Sequence, residues 1–433
     1  MSVSLQPLPK SLNAYTTNPH KSFVKTAVTT LVEGSGNSQN VMLALGFLAT
    51  LNVHLLLFSY SPLVPNIMSE LGISNAEAGF LFSVSILTLM IFRIPWGILF
   101  DRKGFKKTMT LALLLMGVFG VARGFAIDYT SLLLTQFFLG VGLSGVIPAI
   151  PRLVSCWFPR EKIGVATGIC LAGFPVGDFV ALSLTPFLFS GLGGWRMVFQ
   201  VYGAWCLLLV VLWWRFAHET GKEEIPPDRT SLRSDFARLL KNRLVWVLTG
   251  LYFCAGGCYD TLLVWLPNVQ QAKGLDVFSA SLVASMLPAG FLFSAIAVGA
   301  FSDKMGLRKP FVLVMGAASG PVLFLTGTIT GLPVYITAFL SGLCTVGVLT
   351  IILAVPVETP SLSRNLSSVL GIVASFGNLG SFLLPTLVGQ LRDVSGTFLL
   401  SMLVLAVVGE TMLVLGLLLP ETGRKMKTVA GQN

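Results

Sequence analysis

The stretch "GILFDRKGFKK", Gly97 to Lys107, sets five charges against some of the most apolar sequence in the chain. It returns 202 residues later as "GAFSDKMGLRK", Gly299 to Lys309. Gly97, Asp101, Gly104, Lys106 and Lys107 match Gly299, Asp303, Gly306, Arg308 and Lys309, giving G-x-x-x-D-x-x-G-x-[KR]-K. A second pair supports the repeat: "GICLAGFPVGD" (Gly168–Asp178) aligns with "GIVASFGNLGS" (Gly371–Ser381) at an offset of 203. Two phrases repeated at nearly one offset mark an internal duplication with parallel halves.

The surroundings fix the solvent. The chain is 54% hydrophobic and 11% charged, against about 25% charged in an ordinary soluble domain. Its apolar residues come in runs of about 20, the length that crosses a hydrocarbon core of about 30 Å. Twelve such runs are expected as helices, because backbone polar groups in lipid must be satisfied within the segment. The first six cover 41–65, 77–99, 108–126, 131–152, 163–188 and 196–217; the second six cover 244–268, 277–300, 310–328, 333–356, 366–390 and 396–419. The fold class is therefore an all-α polytopic membrane protein, with 12 transmembrane helices in two pseudo-symmetric six-helix bundles.

Basic residues orient it. With the N-terminus in the cytoplasm, 24 of the 29 Lys and Arg fall in cytoplasmic tails and loops, and four (Arg123, Arg196, Lys273, Arg392) fall on the other side. This bias places both termini in the cytoplasm. The net charge of +10 then reports orientation and contact with anionic membrane lipid, not nucleic acid. Residues 1–40 read as a disordered cytoplasmic tail without a signal peptide, 41–217 and 244–420 as the bundles, 218–243 as a cytoplasmic linker and 421–433 as a second tail. The six cysteines sit in or beside spans as small core residues rather than a disulfide framework.

On these phrases, with "GGWRMVF" (Gly193–Phe199) and "LPETGRK" (Leu419–Lys425), the chain resembles the major facilitator superfamily over residues 41–420. The resemblance implies two bundles rocking about a central site. It gives gating roles to Gly97, Asp101, Arg102, Gly104, Lys106, Gly299, Asp303, Gly306, Arg308 and Arg364. A carboxylate gains at a helix N-terminus, so Asp101 is expected at the start of helix 11 near Arg364, and Asp303 at the start of helix 5 near Arg160 and Lys162. The plainer reading is a set of solvated loop charges. One departure stands out: where the family usually carries Arg in helix 4, "QFFLGVG" has Gln136.

Four ionised side chains lie within the spans: Arg93, Asp178, Asp260 and Glu410. Each is costly there and so a functional candidate. Arg93 suits bidentate recognition of an oxyanion. Its context "RIPWG…DRKG", with "FGNLGS" (Phe376–Ser381), resembles the nitrate/nitrite porter branch. That branch expects a second Arg in helix 8, where this chain has Ala295. Asp178 and Asp260 suit reversible protonation, and Glu410 suits packing in a peripheral helix. His54 is the single histidine within a span and can titrate at physiological pH. Asn52, Tyr60, Gln136, Tyr259 and Asn378 complete the substrate or coupling candidates. Cys254 and Cys258, with His54, offer a soft-metal alternative.

No phosphate loop, nucleophile elbow or nucleic-acid module is evident, so neither an enzyme nor a cofactor is expected. The leading expectation is a proton- or exchange-coupled secondary transporter of a small inorganic or organic anion, monomeric by default. The alternatives are a carrier of cations, metal complexes or amphiphiles, and a transporter-fold sensor or assembly protein.

Overall fold

A computed structural model describes residues 37–218, 238–363 and 365–423. Most of the expected tails and linker, and Arg364, lie outside the described residues. Twelve helices among the described residues are long and apolar enough to cross a membrane. In chain order they are α1 (Ser38–Leu71), α2 (Asn75–Lys103), α3 (Phe105–Phe125), α4 (Tyr129–Trp157), α5 (Ile163–Leu192), α6 (Trp195–Phe216), α7 (Arg243–Gln271), α8 (Val277–Met305), α9 (Lys309–Thr328), α10 (Pro333–Glu358), α11 (Ser368–Ser395) and α12 (Leu399–Leu417).

Many helices run past the apolar runs that announce them. α2 starts at a Ser74–Glu77 capping box and carries Arg102 and Lys103 in its last turn. α4 starts at an Asp128–Ser131 box, and the Asp276 carboxylate accepts the Phe278 and Ser279 amides at the start of α8. These polar ends satisfy amides that the apolar run leaves open. α1 bends between Phe58 and Val64 through a 3₁₀ turn that begins Ser61-Pro62. The loop-motif glycines both end a helix with positive φ, Gly104 at 82° and Gly306 at 63°. A side chain there would be strained, which explains why the phrase repeats its glycine.

The second repeated phrase has an equally physical reason. Gly177 and Gly380, 203 apart, each let the fifth helix of a half touch the first helix backbone to backbone. A Cβ at Gly177 would lie 2.3 Å from the Leu51 carbonyl oxygen, and one at Gly380 would lie 2.1 Å from that of Phe253. Small residues at such crossings are what membrane helices use to approach closely.

α1–α6 and α7–α12 form the two bundles. They meet through α2 against α11, α5 against α8, and α1 against α7. The end carrying Asp101 and Asp303 is here termed the charged face. At the opposite face the apolar core is continuous across both halves, from Val64 and Leu81 to Leu263, Leu384 and Val388. Near the charged face a separate core (Val245, Leu248, Ile351, Leu362, Val369) belongs to the second bundle alone. Glycines report the same asymmetry. Along α2 and α11, Gly97 and Gly371 stand in open space, whereas a Cβ on Gly79 would lie 2.4 Å from the Pro385 carbonyl oxygen and one on Gly389 2.2 Å from that of Asn75. The bundles are thus parted at the charged face and closed at the opposite one.

Candidate functional site

Helix rise sets the depth of each candidate. Arg93 stands ten residues from the end of α2 at Lys103, about 15 Å of helix and deeper than the apolar run suggests. Tyr252 stands nine residues into α7, at about the same level. The Arg93 guanidinium lies within electrostatic reach of the Tyr252 phenol. Among the described residues no carboxylate pairs with Arg93, and its buried Nε has no partner. Tyr252 is held flat against α11, since a Cβ on Gly377 would lie 2.4 Å from its ring. Half-buried Asn378 follows at the break between the two segments of α11, Leu366–Gly377 and Leu379–Ser395.

A second layer lies about two turns deeper. His54 Nδ1 is 2.7 Å from Asp178 Oδ1, joining α1 to α5. Asp178 is fully buried, while the His54 side chain keeps 20% of its surface exposed. Tyr259 donates its hydroxyl to Asp178 Oδ2 at 3.1 Å, and this bond crosses from one bundle to the other. Asp260, next along α7, is half-buried beside Ser381 and interacts electrostatically with His54, Asp178 and Tyr252. Ser381 holds the place in its phrase that Asp178 holds in the other. The duplicated scaffold therefore sets one polar group of each fifth helix beside a titratable group of each first helix.

Several expected members are elsewhere. Asn52 is fully buried and donates to the Leu48 carbonyl. Tyr60 is fully buried and donates to the Ala78 carbonyl, tying the end of α1 to α2. Gln136 faces Arg123 at 3.5 Å inside the first bundle. Arg123 is fully buried, donates to the Leu56 carbonyl and stacks 4.2 Å over the Phe199 ring. A cation thus meets Gln136 from α3, although sequence reasoning counted Arg123 to the side opposite the cytoplasm. The metal alternative loses its geometry: Cys258 packs against the Leu405 carbonyl of α12. No group of three His, Cys, Asp or Glu suited to a metal occurs among the described residues. Glu410 packs on α9, where a Cβ on Gly320 would lie 2.6 Å from its Oε2.

At the charged face each motif acidic residue is engaged within its own bundle. Asp101 accepts from Arg152 at 2.9 Å, and its expected partner Arg364 lies outside the described residues. Asp303 accepts from Arg308 at 2.6 Å within the second bundle. Arg308 also forks onto Glu358, and its backbone amide and that of Lys309 donate to Glu421. These acidic partners hold the Arg308 proton more tightly than usual. Lys106 lies over the Trp214 ring at 5.3 Å, and Arg102 is exposed. The Glu421-Thr422-Gly423 triplet has a counterpart 202 residues earlier, Glu219-Thr220-Gly221, a repeat signal that marks this contact.

The opposite face has its own polar tie, which sequence reasoning missed. Asp393, at the end of α11, accepts from the Asn75 amide (3.1 Å), the Asn75 side chain (2.7 Å) and the Ala76 amide (2.8 Å). Ser61 donates to the Leu263 and Val264 carbonyls, and Ser83 meets Thr386 at 3.0 Å. Every one of these joins the two bundles.

A family model described as Major Facilitator Superfamily matches residues 46–385. The 3-(3-hydroxy-phenyl)propionate transporter of Escherichia coli (strain K12) is 28% identical over 370 residues, covering 82% of this chain and 88% of that protein. The nitrite extrusion protein of Bacillus subtilis (strain 168) is 25% identical over 391 residues, 88% of this chain and 94% of that one. Among solved structures, a bacterial homolog of the human lysosomal transporter Spinster, in an inward-facing and occupied conformation, matches with a TM-score of 0.74. It is 18% identical and covers 89% of this chain and 97% of its own, a likeness of fold.

Proposed function

The chain belongs to the Major Facilitator Superfamily, and on that premise we propose that it is a proton-coupled secondary carrier of small organic carboxylates. The observation that carries this reading is Arg93, a guanidinium about 15 Å from the end of its helix with no carboxylate partner among the described residues. A buried cation is costly unless paired, and a transported anion supplies the pair. Arg is suited to it, since its planar fork binds a carboxylate through two bonds. Tyr252 and Asn378 add neutral donors at the same level.

The body of the cargo is set by what lies deeper. Asp260 and His54 accept or donate hydrogen bonds about two turns beyond Arg93, which suits an elongated acid with a polar far end. The Escherichia coli relative named for 3-(3-hydroxy-phenyl)propionate is consistent with this. Nitrate suits the site less well, because Ala295 leaves Arg93 without a second cation on α8. The cation reading retains only Asp260, since Asp178 is already engaged by His54 and Tyr259. A sensor or assembly role leaves the unpaired Arg93 unexplained.

The charged face is the cytoplasmic one, on the bias of its Lys and Arg. Both termini then lie in the cytoplasm, and the conformation is open inward. In that state Asp101 and Asp303 are released from the opposite bundle, as alternating access requires of cytoplasmic latches. The test is thermal unfolding of the purified protein with 3-phenylpropionate, 3-(3-hydroxyphenyl)propionate, nitrate or nitrite, beside Arg93→Gln. A carboxylate at 100 times its dissociation constant adds about 2.7 kcal/mol to the wild type and nothing to the variant. Stabilisation by nitrate alone, or equal stabilisation of Arg93→Gln, overturns the reading.

A further inference from the structure

We propose that His54, Asp178 and Tyr259 form a proton-binding site separate from the anion contact at Arg93, and that its occupancy controls closure at the opposite face. This rests on reading the chain as a carrier, and it assigns the coupling proton to Asp178 and His54 rather than to Asp260.

Burial decides the charge state. Asp178 is 0% exposed, and the group able to neutralise it is the imidazole 2.7 Å away. With His54 protonated, the pair is an imidazolium and a carboxylate, and Tyr259 satisfies the second oxygen. With His54 neutral, the imidazole still donates from Nδ1, but a net negative charge stays buried, which is strongly unfavourable. Asp260 sharpens this by placing a second carboxylate within electrostatic range. No other charged group faces the pair among the described residues: α1 offers His54, α5 Asp178, and α7 Tyr259 and Asp260. Phe174 stacks 4.5 Å from the imidazole, Phe291 of α8 packs 5.6 Å from Tyr259, and Ser381 of α11 is neutral.

Geometry decides the consequence. Tyr259 belongs to the second bundle and Asp178 to the first, so their hydrogen bond exists only while the halves are closed at the opposite face. Loss of the proton leaves a buried charge that water would solvate, and water reaches Asp178 when that face opens. The imidazole keeps 20% of its side-chain surface exposed while Asp178 keeps none, so the proton exchanges through His54 in this conformation. The cycle balances: one proton joins His54 from the outer side, the outer seam closes, and the same proton leaves inward from the imidazole. Arg93 takes no part in that exchange.

The experiment is hydrogen–deuterium exchange of the full chain in nanodiscs at pH 5.5 and 8.5, corrected for the intrinsic pH dependence of exchange. The reporters are peptides covering 75–82 and 385–395. In the wild type, protection there falls about tenfold or more at the higher pH, equivalent to about 1.4 kcal/mol in the closed–open balance. In Asp178→Asn and His54→Gln the change is under about twofold, and Tyr259→Phe reduces it while leaving α3 and α6 peptides as protected as before. Arg93→Gln keeps the wild-type pH response. A full response in both His54→Gln and Asp178→Asn overturns the site, and loss of the response in Arg93→Gln overturns its separateness. Should Asp178→Asn not fold, His54→Gln and Tyr259→Phe decide alone. Adding 3-phenylpropionate to the same samples tests the cargo independently: no ligand effect in a pH-responsive wild type refutes the carboxylate reading and leaves the proton site standing.

Discussion

Asp393→Asn probes the polar tie at the closed face with a change of one atom. The carboxylate spans two donors at Oδ1 and one at Oδ2, all on the first turn of α2. Hydrogen bonds to a charged group contribute about 1.5–3 kcal/mol when buried, and a negative charge at a helix N-terminus about 0.3–1 kcal/mol. Asp393 is exposed, which brings both toward their lower limits. The amide keeps one acceptor oxygen but loses the charge and turns an NH₂ group toward a backbone donor. We expect a loss of about 1–2 kcal/mol, a factor of about 5–30 in the balance between the closed and open opposite face. Local fraying does not mimic this, because the Ser74–Glu77 capping box continues to hold the start of α2. Hydrogen exchange is the assay, with exchange at 75–82 and 386–395 rising by that factor while residues 94–103 and 366–372 gain protection. If exchange rises only at 75–82, with no gain at the charged face, Asp393 is a local cap and the two-state argument fails.

Gly79→Ala places a Cβ 2.4 Å from the Pro385 carbonyl oxygen, so the α2–α11 crossing cannot close unchanged. The variant should fold yet show the α2 start deprotected by exchange, and wild-type protection there would refute the crossing. Glu358→Gln removes the fork that neutralises Arg308 at 10% exposure; breaking a buried pair costs about 3–5 kcal/mol, and the remaining Asp303 partner brings this toward the lower end, readable as a lower melting temperature, with Glu421→Gln milder. The Ser279 hydroxyl, with the amides of Ser279 and Phe278, holds the Asp276 carboxyl below its ordinary range. A depressed carboxyl contributes stability above its unfolded pKa that is lost as pH falls through the folded one. Acid should therefore loosen the start of α8 in the wild type and not in Asp276→Asn, as read by exchange at 277–283.

The helices, the duplication and the fold class were legible because each rests on a local pattern: run length, repeat offset, and Ser, Asp or Asn at helix starts. Which way a side chain faces was not. Asn52, Tyr60 and Gln136 were counted among the substrate or coupling candidates, yet they are buried in the first bundle. A helix that is apolar on its lipid face and apolar on its core face has no stripe that orients its few polar residues. His54 and Asp178 were each singled out as intramembrane titratable groups, but their pairing follows from the Gly177 crossing, which neither residue announces. Asp393 and Asn75 are 318 residues apart and ordinary in composition, so only the folded chain pairs them. Counting Arg123 to the side opposite the cytoplasm says nothing of its burial, and the structure packs it fully buried against Gln136 and Phe199.

The two faces hold their bundles by different forces, and this has a thermal consequence. The seam at the opposite face is apolar packing from Leu81 to Leu384, tied by the hydrogen bonds of Asp393, Ser61 and Ser83. Parting it to water raises the heat capacity of the moving state, so the activation enthalpy of outward opening should shrink on cooling and its Arrhenius plot should curve, flattening at low temperature. The charged face is parted here and carries ion pairs held within each bundle, Asp101 with Arg152 and Asp303 with Arg308; closing it would exchange such pairs across the bundles, an exchange that weakens with salt. Heating and salting a working carrier should therefore slow or speed opposite halves of one cycle.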